Sequence, residues 1–300
     1  MKASCELPHH NDTTNTAGAV SNQYHWLLKK AEELILRSRC ENREGISYEM
    51  VSSPGGYYQA MFTRDMAYKV IACPHLYAND KTEGTLQLVL DNASYDHAMP
   101  EYITIDGRVE YWCAGTGPLT DNAPSYVMAT IAYCTAVNNF EFLHRNIDKI
   151  KQCLDSVRVC PATNLVWIDP HNPHSGYGYH DNIQKTGTEL FSSVLLYQAY
   201  KILAEHLDGS IYGRIKDDCA AKAVAIEKGL ESLYDEKSGL YMAASIDCRQ
   251  PDVWGSAAAV FYGAAGKHGR GCAQALANMH DKCVWKGQIR QIPQPFVWDR

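Results

Sequence analysis

Apolar residues recur at helical spacing through most of this chain, in stretches joined alternately by short and by long connections. Ser21 or Asn22 stands where a cap would precede Tyr24, Leu27, Leu28, Ala31, Leu34 and Ile35. A second helix is predicted from Thr63, and Pro74 stops it because proline cannot continue a helical ladder. Further helices are predicted over Thr82–Ser94, Asp121–Val137, Asn139–Val157, Thr188–His206, Ile211–Leu233, Trp254–Gly263 and Gly269–His280, nine in all. Asp121 and Thr188 sit where N-caps belong, and Pro124 falls in a first turn, where its missing N–H is harmless. Strand signals are confined to Tyr102–Ile105 and to Leu240–Ala243 beside the turn at 235–239. The expectation is an all-α fold of stacked helical hairpins. No fixed-length repeat is visible, so a toroid with its site at one mouth fits better than a regular solenoid. Residues 1–20 read as a mobile polar tail and 21–300 as a single domain.

Composition removes several classes of function. With 28 basic and 34 acidic residues the net charge is −6, which argues against a partner made of phosphates. No stretch approaches the roughly 20 apolar residues that a membrane span needs. The 11 cysteines are scattered singly with no CxxC pair, so a zinc ribbon is not expected. Free thiols in a reducing compartment fit better, and MKASCELPHH has no apolar secretory core, so a cytoplasmic location is expected. The chain holds 19 Tyr and 6 Trp against 6 Phe. Polar-tipped rings in that excess suit either a carbohydrate surface or the seams between helices.

Four segments place charged or amide groups beside aromatics where an apolar helix begins: Met61–Tyr68 around Thr63-Arg64-Asp65, Leu119–Pro124 around Asp121-Asn122, Tyr177–Gly187 around His180-Asp181-Asn182, and Pro251–Ala257 around Trp254. Their order and setting resemble the six-hairpin glycosidase superfamily, the (α/α)6 toroid clan of glucoamylases, debranching-type glucosidases and glycoside hydrolase family 63. The resemblance covers roughly residues 22–298. It implies an inverting, exo-acting glycoside hydrolase on a terminal glucose-like residue. No cofactor or metal is implied, since protonation and water attack suffice.

Within that resemblance Asp181 takes the place of the general acid, in an aromatic-Asp-Asn context where His180 stands for the commoner Trp. Nearby tyrosines and a second carboxylate would hold its proton near neutral pH, and Lys185 would act in the opposite sense if it came close. Arg64 offers a planar fork of donors and Asp65 two acceptors, a pair suited to adjacent sugar hydroxyls. Asp121 and Asn122 are cap residues that can also bond a sugar, and Trp254 and Trp112 can lay an indole on its C–H face. The histidines His171, His174 and His180 lack the Cys or Glu partners of a metal site.

A six-hairpin ring needs twelve helices, so the chain is expected to stop about three short. Ile289-Arg290-Gln291-Ile292-Pro293 resembles the stretch that precedes the inverting base in that clan, and no residue here matches the base. Glu189 and Asp299 are fallback candidates. Two alternatives remain: a sugar 2-epimerase on the same toroid with His180 as base, and a carbohydrate-binding chain without activity.

Overall fold

The computed structural model describes residues 16–41, 47–49, 59–112, 119–173 and 183–299. Ten helices run through these residues: α1 (Thr16–Arg37), α2 (Thr63–Ala72), α3 (Asp80–Asp91), α4 (Asn122–Val137), α5 (Glu141–Asp155), α6 (Leu190–His206), α7 (Gly209–Leu230), α8 (Val253–Tyr262), α9 (Gly269–Asn278) and the single turn α10 (His280–Cys283). The strands among them are two or three residues long and antiparallel wherever they pair. Helix α1 starts at Thr16 rather than behind a Ser21 or Asn22 cap, because Ala17 and Ala19 carry helical propensity upstream. Among the described residues no helix is long and apolar enough to cross a membrane.

The helices form an inner and an outer layer. Helix α2 packs on α4, α4 on α6 and α6 on α8, while α3, α5, α7 and α9 back them from outside. Helices α4 and α6 are buried almost all round, as continuously apolar sequences require. The outer helix α5 instead buries one stripe, including Phe142, Leu143, Ile147, Ile150 and Leu154. At one end the hairpins close tightly: Asn138 ends α4 in the left-handed conformation at φ 51°, and Leu207 and Asp208 suffice between α6 and α7. At the other end lie the long connections 92–121, 156–189 and 231–252, so the inner helices all begin at one mouth.

Four of the described tyrosines fill helix seams. The hydroxyl of Tyr126 donates to Leu86 O, Tyr133 to Glu83, Tyr200 to Asp155 and Tyr241 to Ala265 O. Each ring fills apolar space while its tip satisfies a neighbouring helix or loop. Apolar side chains also remain uncovered. Tyr24, Trp26, Leu27, Leu34 and Leu36 on α1 are exposed, and Phe261 on α8 is 82% exposed.

Two stability predictions arise here. Gly229 packs so closely on the 160–165 turn that a Cβ would sit 1.9 Å from Thr163 O and 3.1 Å from Leu165 Cδ2. Alanine would gain about 1 kcal/mol of helix propensity, but backbone cannot yield that distance. Gly229→Ala is therefore expected to lower stability by about 1–3 kcal/mol in denaturant titration. Between α5 and α7, Lys151 and Lys222 alternate with Asp155 and Asp218, with the Tyr200 ring beneath both ammonium groups. Burial alone would raise Asp155, yet its hydrogen bonds to Lys151, Lys222 and Tyr200 hold it below the usual carboxylate range. Its stabilising effect is thus full above the unfolded-state value near 4 and lost as pH falls through the lower folded value. Thermal melts should show Asp155→Asn less stable than wild type at pH 7, with the difference disappearing at the acid end of the folded range.

Candidate functional site

The mouth is built from the first residues of the inner helices. Thr63 opens α2 by donating its N–H to Glu101 O at 3.0 Å and its hydroxyl to Pro100 O at 2.6 Å. That anchor brings the Glu101 carboxylate against Arg64, whose Nη2 donates to Oε1 at 3.0 Å and whose Nη1 lies 3.3 Å from both oxygens. Arg64 Nε sits 3.3 Å from Asp121 Oδ2, and Asn122 Nδ2 donates to Glu101 Oε2 at 3.0 Å. The side chains of Arg64, Glu101 and Asp121 are 3%, 1% and 0% exposed. Burial pushes the Glu101 carboxyl up to about 7 against the pull of Arg64, and Asp121 adds to the push. Two carboxylates share one guanidinium, so the third party is a proton near neutral pH.

A second set repeats this arrangement between α6 and α8. Gly187 enters at φ +83°, where a Cβ would meet Ser245 Oγ at 2.3 Å, and this tight crossing turns the chain into α6. Lys185 Nζ donates to Glu189 Oε1 at 2.7 Å and lies 3.7 Å from Asp252 Oδ2, all three fully buried. Burial would lower the ammonium, but Glu189 and then Asp252 outweigh it and hold it above its ordinary range. Burial raises Asp252 despite the nearby lysine. Glu189 and Asp252 also cap their helices: Glu189 Oε2 accepts from Ser192 N at 2.6 Å, and Asp252 Oδ1 from Gly255 N at 2.8 Å. The hydroxyl of Thr120 donates to Ser192 Oγ at 2.9 Å and ties the second set to the start of α4.

Sequence reasoning found Arg64, Asp121, Asn122 and Lys185, and the fold groups the first three around Glu101, which carried no local signal. Arg64 pairs with Glu101 and Asp121, and its neighbour Asp65 in the first turn of α2 is half-buried. Asp121 stands at the N-cap of α4 without a side-chain cap bond, because its carboxylate faces Arg64. The expected cap Thr188 lies in a strand pairing Gly187 and Thr188 with 167–168, and Glu189 caps α6 instead. Glu189 Oε2 accepts from Ser192 N in that cap and Oε1 from Lys185. Trp254 donates its indole N–H to Ile289 O at 3.3 Å and packs beside Met128, Phe191 and Leu195. At Gly255 a Cβ would sit 2.4 Å from Leu190 Cδ2 and 2.9 Å from Asp252 Oδ2, so only glycine fits beside those side chains. Trp112 is 44% exposed at the edge of the 113–118 connection. Asp181, His180 and His174 lie outside the described residues, and among those described no group of histidine, cysteine and carboxylate ligands could hold a metal. Residues 288–299 cross the start of α8, where Val253 N donates to Gln291 O at 2.8 Å. They bring the Trp298 ring 5.7 Å from Lys185 Nζ.

No protein-family model matches the chain. No curated protein matches it either. Solved structures do. A GH63 mannosylglycerate hydrolase from Thermus thermophilus, in complex with glucose, superposes with a TM-score of 0.64 at 15% identity, over 89% of this chain and 79% of that one. A sugar epimerase from a ruminal bacterium gives 0.58 at 14% identity, over 87% and 70%. A rhamnosidase from Klebsiella oxytoca with rhamnose bound gives 0.59 at 12% identity, over 74% of this chain and 42% of that one. The chain thus spans less than half the length of the rhamnosidase. At these identities the likeness concerns the fold alone: ten helices in two layers, with the inner ones opening at one mouth, give this chain the all-α toroid fold that these solved structures share.

Proposed function

We propose that this chain is a carbohydrate-active enzyme, an inverting, exo-acting glycoside hydrolase that removes a terminal glucose-like residue. One observation carries the reading. The first residues of α2, α4, α6 and α8 are joined by two buried charge clusters and the Thr120–Ser192 bond into a polar rim around one mouth. In solved structures of this fold the ligands include glucose and rhamnose. Asp181, four residues before Lys185 in sequence, donates the proton to the leaving glycosidic oxygen as the C–O bond breaks. Water attacks the opposite face of the ring and loses its proton to a second carboxylate, for which the reading keeps Asp299, the neighbour of Trp298. Arg64, Asp121, Asn122 and Lys185 hold the rim in shape, and Asp65, Trp112 and Trp254 contact the sugar.

A panel of alkyl and aryl glycosides tests this, with the anomer first released read by NMR. Release of the inverted anomer from one terminal sugar supports the reading, and retention removes the inverting mechanism. A second reading has its own observation, because a sugar epimerase and a D-mannose isomerase share the fold. There His180 would abstract the C2 proton of a free reducing sugar. Deuterium entering C2 in heavy water, with an epimer and no hydrolysis, would favour it.

A further inference from the structure

We propose that the bare stripe of α8 is an interface for a second copy of this chain. The two copies of α8 pack antiparallel about a two-fold axis, so that Phe261 of each enters beside Ala257 of the other. The inference concerns assembly and does not rest on the reaction proposed above.

The layer of inner helices explains why a stripe is bare. Helix α4 lies between α2 and α6, and α6 between α4 and α8, so both are covered on two sides. Helix α8 packs on α6 and on the outer helix α9, and no full inner helix follows it among the described residues. Trp254, Ala258 and Tyr262 pack towards Met128, Phe191 and Leu195. Ala257 and Phe261, about one turn apart, are exposed instead, Phe261 to 82%. Ile289, whose carbonyl accepts from the Trp254 indole, extends the bare apolar surface at the start of the helix and is 61% exposed.

The stripe is self-complementary. A closed pair presents the same patch from both sides of its axis, so that patch must contain both a projection and the recess that receives it. Phe261 projects and Ala257 leaves a recess, and their four-residue separation is about 6 Å along the helix. An axis level with Ala259 therefore sets projection against recess twice. Nor does the pairing bring like charges together. A charged residue near the axis would face its own copy, and α8 contains no Asp, Glu, Lys or Arg.

Size sets the strength. Phe261 leaves bare most of the roughly 150–250 Å² that an aromatic residue can bury. With Ala257, half-buried Trp254 and Ile289 the patch is on the order of a few hundred Å². That is below the roughly 800 Å² per partner of a standard interface, so the pair is weak, with Kd above about 1 µM. The rival occupant is α1 of another copy, where Tyr24, Leu27 and Leu34 are exposed. That contact joins two different patches, so it builds rings or open chains rather than a two-fold pair.

Sedimentation velocity on the full chain separates these cases. Wild type should pass from monomer to dimer as concentration rises and go no further. Ala257→Phe fills the recess and should weaken the pair at least about tenfold, although it adds apolar surface. Combining it with Phe261→Ala exchanges projection and recess and should recover most of the affinity. Leu27→Lys should change nothing. The substituted positions are exposed, and circular dichroism checks that each variant keeps the native fold. Wild type that stays monomeric up to about 1 mM overturns the inference. So does a dimer undiminished in Ala257→Phe, a double variant that recovers nothing, or an assembly beyond the dimer that Leu27→Lys weakens.

Discussion

Replacing Arg64 by methionine is expected to cost about 3–5 kcal/mol of stability, because it leaves Glu101 and Asp121 buried without their cation. The penalty should depend on pH in a defined direction. Glu101 has a folded value near 7, above its unfolded one, so the folded state binds its proton more tightly. Stability from that group is greatest at acid pH and declines as pH rises from the unfolded value towards 7. Without Arg64 the carboxyl would hold its proton to higher pH still. Urea titrations should therefore show the Arg64→Met defect largest at alkaline pH and smaller at pH 5. Adding Glu101→Gln in the same chain should recover part of the loss by removing the charge that Arg64 had balanced. A defect under about 1 kcal/mol, typical of an exposed pair, would mean that the cluster is wet rather than buried.

For Asp181→Asn the expected loss is about 10²–10⁴ in turnover of alkyl glycosides, the usual contribution of a positioned acid. The dependence on the leaving group makes the test specific. An alkoxide needs protonation to depart, whereas a dinitrophenolate leaves almost unaided, so the dinitrophenyl glycoside should lose far less. Equal losses on both substrates would point to a role in binding, and unchanged turnover on both would remove Asp181 as the acid.

The parts of this fold that were legible in the sequence are those decided by neighbours along the chain. Helix α2 begins at Thr63 and stops before Pro74 as its pattern requires, and the hairpins around Asn138 and Asp208 fall where the short connections were read. Local capping rules failed where a buried counter-charge took over. Asp121 occupies the cap position, but Arg64 claims its carboxylate. Thr188 has the better capping chemistry, yet Glu189 caps α6 because Lys185 steadies its other oxygen. Glu101 is the clearest omission. It lies on an irregular stretch before a short strand, and its partner is 37 positions away, so neither periodicity nor spacing marks it. One hint was available: Arg64 in the first turn of a helix needs a buried counter-charge if that turn is covered.

The unequal lengths of the connections have a consequence for how such a molecule can be altered. At the tight pole, Asn138 and the Leu207–Asp208 link leave no slack, so an insertion there must push apart packed helices. At the opposite pole the connections 92–121, 156–189 and 231–252 are long, but Glu101, Asp121, Lys185, Glu189 and Asp252 tie them into the starts of the inner helices. Change there is confined to the exposed stretches between those anchors. A graft that keeps the anchors leaves the helices beneath to fold on the terms they already have.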